Sequence, residues 1–314
     1  MKPSDGYIMY IVNPKSGASS GKFACWRFQR YLTAKGFQTR VRLTRSLPHA
    51  CKLATDAAVD AACMLVVTAG GDGTLREVTH GLEGSSKPLL VVPGGTENLL
   101  ANELGFDRRV ETLIRAFEGG VIRPLDLGTA NGKCFASIVG CGFDGAVVDL
   151  VSARRTGHIN YFDYVYPLWR TFWNHRFEVM RVQVDGAEVF HGPGLVFVGN
   201  ISRYAIGLQI LHYADFGDGL LDVCIYKCAG RTHLAKHSVL TVLKHHANRS
   251  DVIYRQGKHV TVSSPVTGIK TEIDGDPGPA LPIHISVVPR AVRCLVPPGA
   301  RPAGIRSRIF RSLR

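Results

Sequence analysis

In the stretch CMLVVTAGGDGTLREV, residues 63–78, an unbroken apolar run gives way to three glycines within four residues and then to a helical pattern. The run Cys63–Thr68 shows no polar alternation, so it reads as a strand buried on both faces, as in a parallel sheet covered by helices. Leu75–Leu82 reads as the helix that follows. Strand, glycine loop and helix in succession form one βα unit of an α/β sheet, whose ligands bind beyond the carboxyl ends of the strands. Gly70, Gly71 and Gly73 let a ligand approach the backbone closely, and the helix start offers free N–H donors. Both suit phosphate. A bare carboxylate beside phosphate is repelled, so Asp72 implies a bridging Mg²⁺ or a hydroxyl to deprotonate. A tight turn with an aspartate cap is the plainer reading; the complete strand–loop–helix context favours the phosphate site.

Outward from this unit, Tyr7–Val12 is a short apolar strand ending in Asn13-Pro14, and Phe37–Leu43 a half-exposed strand, with a helix over Gly21–Gly36 between them. Ser46–Ala62 opens with Ser-Leu-Pro, a helix start. Leu89–Val92 is a further strand, and Glu97–Leu104 and a segment around Val110–Phe117 are helices. The first 120 or so residues therefore alternate β and α, which predicts a mostly parallel sheet. From Val121 strand-like runs dominate: Val121–Leu127, Cys134–Val139, Phe177–Val184, Leu195–Gly199, Leu220–Tyr226, Val260–Ser263, Thr267–Ile273, Pro282–Val288 and Ala291–Val296. Asp185-Gly186 is a hairpin signal. Helical insertions are expected near Ala146–Trp173 and Thr232–Ala247. The expectation from patterning is an α/β domain over 1–128, an antiparallel β-sandwich over 129–296 and a basic tail over 297–314.

At 314 residues the chain has room for two domains and a real core. Lys+Arg 38 against Asp+Glu 25 gives +13, which favours an anionic partner: nucleic acid, an anionic membrane face or a phosphorylated ligand. No apolar run approaches a membrane span, and the apolar run near the N-terminus is too short for a signal-peptide core. The eight cysteines form no CxxC pair, so a reduced, cytoplasmic protein is expected. No nucleic-acid reading motif accompanies the charge.

Two more loops end strands in the same half. Asn13-Pro14-Lys15-Ser16-Gly17 suits a phosphate-facing turn, with Lys15 to neutralise charge. Pro93-Gly94-Gly95-Thr96-Glu97-Asn98 is the third. Three glycine-bearing loops from three strand ends converge on one rim, a stronger argument than any one loop. The stretch from Gly17 to Phe23 is one residue short of a Walker A loop and has Phe23 where Ser or Thr must hold Mg²⁺, so that reading fails.

NPKSG, GGDGT with LREV, and PGGTEN, in this order, resemble the diacylglycerol kinase catalytic domain, a family that includes bacterial soluble lipid kinases and is related to sphingosine and ceramide kinases. Leu125-Asp126-Leu127-Gly128, Gly140–Gly145, Asp215–Asp222 and Asp274-Gly275-Asp276 fit further family segments, so the resemblance runs from residue 7 to about 296. It implies an NAD kinase/diacylglycerol kinase-like fold, with ATP bound in the first domain and lipid entering between it and the sandwich. By position, Asn13, Pro14, Lys15, Ser16, Gly17, Thr44, Gly70, Gly71, Asp72, Gly73, Thr74 and Thr96 would contact nucleotide. Asp215, Asp218 and the Leu220 carbonyl would hold Mg²⁺, with Asp72 and Asp126 organising a second Mg²⁺ network. Asp276, or alternatively Asp274, would accept the proton of the lipid hydroxyl.

Two positions depart from the family pattern. Asp276 stands where Glu is usual, and Leu99 where many relatives carry Asp. The later Ser/Thr-Pro-Thr-Gly-Ser segment of NAD kinases and the catalytic run of phosphofructokinases are absent. The implied function is ATP- and Mg²⁺-dependent phosphorylation of a hydroxyl on a membrane lipid, diacylglycerol or a sphingoid or ceramide lipid. The alternative is a non-catalytic lipid-binding protein on a degenerate kinase fold.

Partners are then the lipid and an anionic membrane surface, with peripheral attachment, no nucleic acid, and a homodimer admitted. The acids at 215–222 are explained equally by an Asp-Gly hairpin, and at 274–276 the residues, taken without the family pattern, favour a plain Asp-Gly turn. His233 and His237 read as part of a basic helix face. The aromatic cluster from Tyr161 to Trp173 reads as core or as a lipid entrance. The tail, with Arg301, Arg306, Arg308, Arg311 and Arg314 beside Ile305, Ile309, Phe310 and Leu313, reads as a solvated end by default or as an interfacial helix that anchors the chain.

Overall fold

The computed structural model describes residues 2–17, 19–154, 162–247 and 249–300. The tail helix admitted over 301–314 lies outside these residues, as does Tyr161. The described chain packs into two units. The first takes residues up to Leu127 together with Phe216–Asp218 and the residues from Pro289 on; the second takes Gly128–Asp215 and Gly219–Val288. The sequence division at 128/129 left the last strand whole in the second domain, whereas its second half packs with the first unit.

The first unit runs β1 (Tyr7–Val12), α1 (Ser19–Ala34), β2 (Gln38–Leu43), α2 (Leu47–Val59), β3 (Cys63–Gly70), α3 (Asp72–Gly81), β4 (Pro88–Pro93), α4 (Leu99–Glu103) and α5 (Val110–Gly119), then enters β5 (Val121–Ala130). β1 lies between β2 and β3, and β3 pairs β4, all parallel. The order 2-1-3-4 reverses between β1 and β3, and such a reversal opens a crevice at the strand ends. β3 is buried along almost its whole length, which is why it carries no polar alternation. Ser46 caps α2 by accepting the His49 N–H at 3.3 Å. α2 and α3 pack closely because residue 81 is glycine: a Cβ there would lie 2.4 Å from the Cys51 carbonyl oxygen.

The second unit contains β6 (Lys133–Phe135), β7 (Ile138–Cys141), α6 (Phe143–Ala153), α7 (Phe162–Asn174), β8 (Val179–Val184), β9 (Ala187–Gly199), β10 (Leu221–Lys227), α8 (Arg231–Val242), β11 (Val252–Gly257), β12 (His259–Ser263), β13 (Thr271–Ile273), β14 (Asp276–Pro277) and the start of β15 (Ile283–Val296). Its pairings are antiparallel. β9 serves two sheets: Ala187–Pro193 pairs with β8, and the stretch from Gly194 pairs with β10 and β7. The change occurs at Gly192-Pro193-Gly194, where Gly192 has φ +156°. A buried apolar cluster including Phe135, Val182, Val198, Val223, Val262 and Ile283 fills the interior.

Several expectations shift in detail. α3 begins at Asp72, not Leu75, so the glycine loop is itself the first helical turn. The insertion at 146–173 contains two helices, α6 and α7. The two runs 282–288 and 291–296 are one strand, β15, which continues through Arg290 at φ +52°. β11 and the beginning of β9 were not anticipated. All eight cysteines are free thiols. Among the described residues no helix is long and apolar enough to cross a membrane.

Candidate active site

The three glycine loops meet at the carboxyl ends of β1, β3 and β4. Asn13 ends β1; its N–H donates to the Ala69 carbonyl at 2.8 Å, and its Nδ2 donates to Thr74 Oγ1 at 2.9 Å. That side-chain bond spans the β1/β3 crevice. Asn13 Oδ1 accepts the Lys15 N–H at 2.9 Å, and Ser16 Oγ donates to the Asn13 carbonyl at 2.8 Å, closing the turn. Ser16 is buried, while Pro14, Lys15 and Gly17 are exposed. The Gly94 N–H donates to the Gly70 carbonyl at 2.8 Å. A Cβ on Gly95 would stand 2.5 Å from the Gly71 Cα, so the second and third loops touch backbone to backbone. Thr44, buried after β2, donates its N–H to the Val12 carbonyl at 2.9 Å. Thr96 is exposed on the third loop.

Asp72 is the first residue of α3 and lies half-buried. Its Oδ1 accepts the Leu100 N–H of α4 at 3.4 Å. One carboxylate thus sits at the start of two helices, the position where negative charge is favoured. Leu99, in place of an acid, opens α4. Asn98 precedes it in the left-handed region at φ +54°, accepting the Gly95 N–H at 2.7 Å and donating to the Gly95 carbonyl at 2.9 Å. Arg108 donates to the same carbonyl at 2.6 Å. Asn98 and Arg108 therefore hold the third loop in shape. Asn98 was visible in PGGTEN; nothing in the sequence marked Arg108. Asp126 is fully buried on β5, where Oδ1 accepts the Arg290 N–H at 2.6 Å.

In the second unit Asp274 and Gly275 have φ of +50° and +79°, and Ile273 pairs with Asp276. This is the two-residue hairpin loop that Asp-Gly favours. The Asp274 carboxylate accepts the backbone N–H groups of Ala136, Ser137 and Ile138 at 2.8, 2.9 and 3.0 Å. It braces the chain between β6 and β7. Asp276 is half-buried and follows the turn. Asp215 and Leu220 fall in the second unit and Asp218 in the first. Neighbouring Asp222 is fully buried and accepts from Tyr254 Oη at 2.6 Å, a structural role. Among the described residues no group of three or more His, Cys, Asp or Glu gathers as a metal cage. His237 is buried against the Lys227 carbonyl at 3.1 Å, and burial lowers its pKa.

One acidic pair escaped the sequence reading. Glu272 is fully buried and Asp144 half-buried, and their carboxyl groups adjoin. Tyr204 Oη donates to Asp144 Oδ1 at 2.5 Å, and the Gly275 N–H donates to Glu272 Oε2 at 2.7 Å. Burial, then the Asp144 charge, pushes the Glu272 carboxyl well above its ordinary value. The space for the pair exists because residue 140 is glycine: a Cβ there would lie 2.3 Å from Asp144 Oδ2.

Residues 7–130 match the diacylglycerol kinase catalytic domain, and residues 137–296 match the YegS C-terminal NAD kinase beta sandwich-like domain. A Mycobacterium tuberculosis protein named diacylglycerol kinase is 29% identical over 299 residues, covering 93% of this chain and 96% of that protein. One of the same name from Bacillus subtilis is 27% identical over 296 residues, covering 91% and 95%. A crystal structure of a Bacillus anthracis diacylglycerol kinase shares the fold at a TM-score of 0.69 and 20% identity, covering 94% of this chain and 98% of that one. The α/β unit with its three converging glycine loops and the antiparallel sandwich both fall within these matches, and the chain belongs to the diacylglycerol kinase catalytic-domain family of lipid kinases.

Proposed function

We propose that this chain transfers the γ-phosphoryl group of ATP, with Mg²⁺, to a hydroxyl group of a diacylglycerol-type lipid at an anionic membrane surface. The observation that carries the reading is the rim itself: loops after β1, β3 and β4, locked by the Asn13–Thr74 bond and the Gly71–Gly95 contact, surround the start of α3. Phosphoryl transfer asks the protein chiefly for positioning and charge neutralisation. The N–H groups of the first turn of α3 and the loop backbones hold the phosphates, and exposed Lys15 neutralises them. Asn13–Gly17, Thr44, Gly70–Thr74 and Thr96 are the proposed nucleotide contacts.

The donor set fits a metal that arrives with nucleotide, because Mg²⁺ commonly uses one or two carboxylates plus phosphates and water rather than a protein cage. Asp72 and Asp126 are its proposed carboxylates, and the 215–220 loop, through Asp215, Asp218 and the Leu220 carbonyl, is a further proposed site. Bound there, Mg²⁺ would supply charge neutralisation on the phosphate oxygens. The lipid hydroxyl oxygen forms the new bond to the γ-phosphorus as the bond to ADP breaks. Its proton passes to Asp276. Asp274 is unsuited to that step, since its oxygens are committed to three backbone donors.

Incubating the chain with γ-labelled ATP, Mg²⁺ and mixed vesicles carrying diacylglycerol, ceramide or a sphingoid base tests this. Label is expected in phosphatidic acid, and Asp72→Asn is expected to lower its formation by about 10²–10³. Label in a sphingolipid product instead would replace the acceptor. No labelled lipid from a folded chain would overturn the reading.

A further inference from the structure

Helix α7 packs by a narrow face, on which Tyr164 and Phe172 are half-buried. Its buried residues are Pro167 and Thr171. Phe162 is 87% exposed, Val165 61%, Trp169 63% and Trp173 49%, with Tyr166 also exposed. At 100° per residue these five side chains fall within about 100° of arc, on the side opposite Pro167 and Thr171. The sequence reading placed this cluster in the core or at a lipid entrance. A cavity of about 340 Å³ does lie beside α7, but Arg170, Thr171 and Asn174 line it and none of the five stripe residues does. The stripe faces outward, and an exposed aromatic stripe of this kind marks an interaction surface.

Three arginines border the stripe. The Arg154 guanidinium sits 4.4 Å from the Tyr166 ring centroid, and that of Arg231 5.3 Å from the Trp173 ring centroid. Arg170 donates to Tyr166 Oη at 3.3 Å. Arg231 also donates to the Trp173 carbonyl. Tryptophan and tyrosine rings with guanidinium groups stacked over them combine an apolar body with cationic charge, the composition of a surface that lies in a membrane interface. The whole chain carries +13, so the complementary surface is anionic.

We infer that the outward face of α7 is the surface by which this chain docks on an anionic lipid bilayer. Phe162, Val165, Trp169 and Trp173 enter the boundary between headgroups and acyl chains, and Arg154, Arg170 and Arg231 meet lipid phosphates. This deepens the lipid-kinase reading by naming the surface that brings the chain to its substrate. Docking is measured without nucleotide, so either idea fails separately from the other.

The test is co-sedimentation of the full chain with vesicles of equal phosphatidylcholine and phosphatidylglycerol, against phosphatidylcholine alone, at low salt. The Trp169→Ala/Trp173→Ala variant is expected to bind the mixed vesicles at least about tenfold more weakly. Arg154→Gln, Arg170→Gln and Arg231→Gln are each expected to cost about fivefold on mixed vesicles only. Lipids brominated near the headgroup boundary are expected to quench the wild-type fluorescence and to leave that of the double variant, which retains only Trp26, nearly unchanged. On water-dispersed short-chain diacylglycerol the double variant keeps wild-type turnover. Because these side chains are exposed, circular dichroism and Tm are expected to be native. Equal vesicle binding by a natively folded double variant overturns the proposal. So does a wild-type dimer that this variant converts to monomer with vesicle binding intact, because the stripe then joins two copies.

Discussion

The Asp274 carboxylate takes three backbone N–H groups, those of Ala136 and Ser137 between strands and of Ile138 at the start of β7, while Asp276, two residues on, lies just past the turn. Removing an acceptor from a partly buried donor costs about 1–3 kcal/mol. Asp274→Ala is therefore expected to lower Tm by about 5 °C or more, seen by thermal melting. Asp276→Asn is expected to melt like wild type and to lose about 10²–10⁴ in turnover. Asp276→Glu, which restores the residue usual in the family pattern, is expected to stay active. An Asp276→Asn enzyme with full turnover would remove Asp276 from the proton step.

Glu272 sets a pH dependence of unusual sign. Its native pKa lies well above the ordinary 4.5, because burial and Asp144 disfavour its ionised form. The native chain holds that proton more tightly than the unfolded chain does. The stabilisation is thus complete below about pH 4.5 and is lost as pH rises from there toward the native value. Glu272→Gln keeps the shape, donates to Asp144 without a titratable proton and still accepts from Gly275. Its Tm is expected to exceed that of wild type near about pH 8 and to converge with it near about pH 4. Parallel melting curves at the two pH values would show that the pair does not titrate with unfolding.

At the scale of elements, the glycine loops were legible because loop chemistry is local: three glycines after an apolar strand have few other uses. Their mutual contact was not legible, since it depends on strand order. Gly95→Ala probes it. The added Cβ meets the Gly71 backbone, which cannot rotate away. The expected result is a KM for ATP raised about tenfold or more, with a Tm loss of a few degrees. An unchanged KM would mean that the two loops separate freely. The Asp-Gly turns at 185–186 and 274–275 were equally plain, as both residues of each take positive φ. β15 was misread as two strands because Pro289-Arg290 interrupts its apolar pattern; Arg290 instead bends within the strand and gives its N–H to Asp126. α7 resisted reading for the opposite reason. Its apolar stripe obeys helical spacing, yet spacing alone does not say which side meets the protein.

For the whole molecule, the chain order and the packing order differ. β15 pairs with β12 over Ile283–Ser286 and with β4 at Arg293 and Cys294. Only the later part belongs to the first unit. A fragment of residues 1–130 therefore lacks the neighbour of β4, and β4 reads Leu-Leu-Val-Val between its prolines. An unpaired apolar edge is a template for self-association. The fragment is expected to aggregate in size-exclusion chromatography, and the same fragment carrying residues 289–300 on a flexible Gly/Ser linker to remain monomeric. Equal behaviour of the two would show that β4 needs no partner.

That shared strand also governs the birth of the protein. Translation adds about 5–20 residues per second, and amino-terminal units usually fold first. Here the unit made first cannot close until codons near 296 have been read, after every residue of the sandwich through Val288 has already been made. The nascent α/β unit waits, with one edge open, from the synthesis of β4 to that of Arg293 and Cys294. A chain cut short between Val288 and Arg293 holds every sandwich residue of the second unit yet lacks the partner of β4, so a late truncation leaves its earliest-made unit, rather than its latest, incomplete.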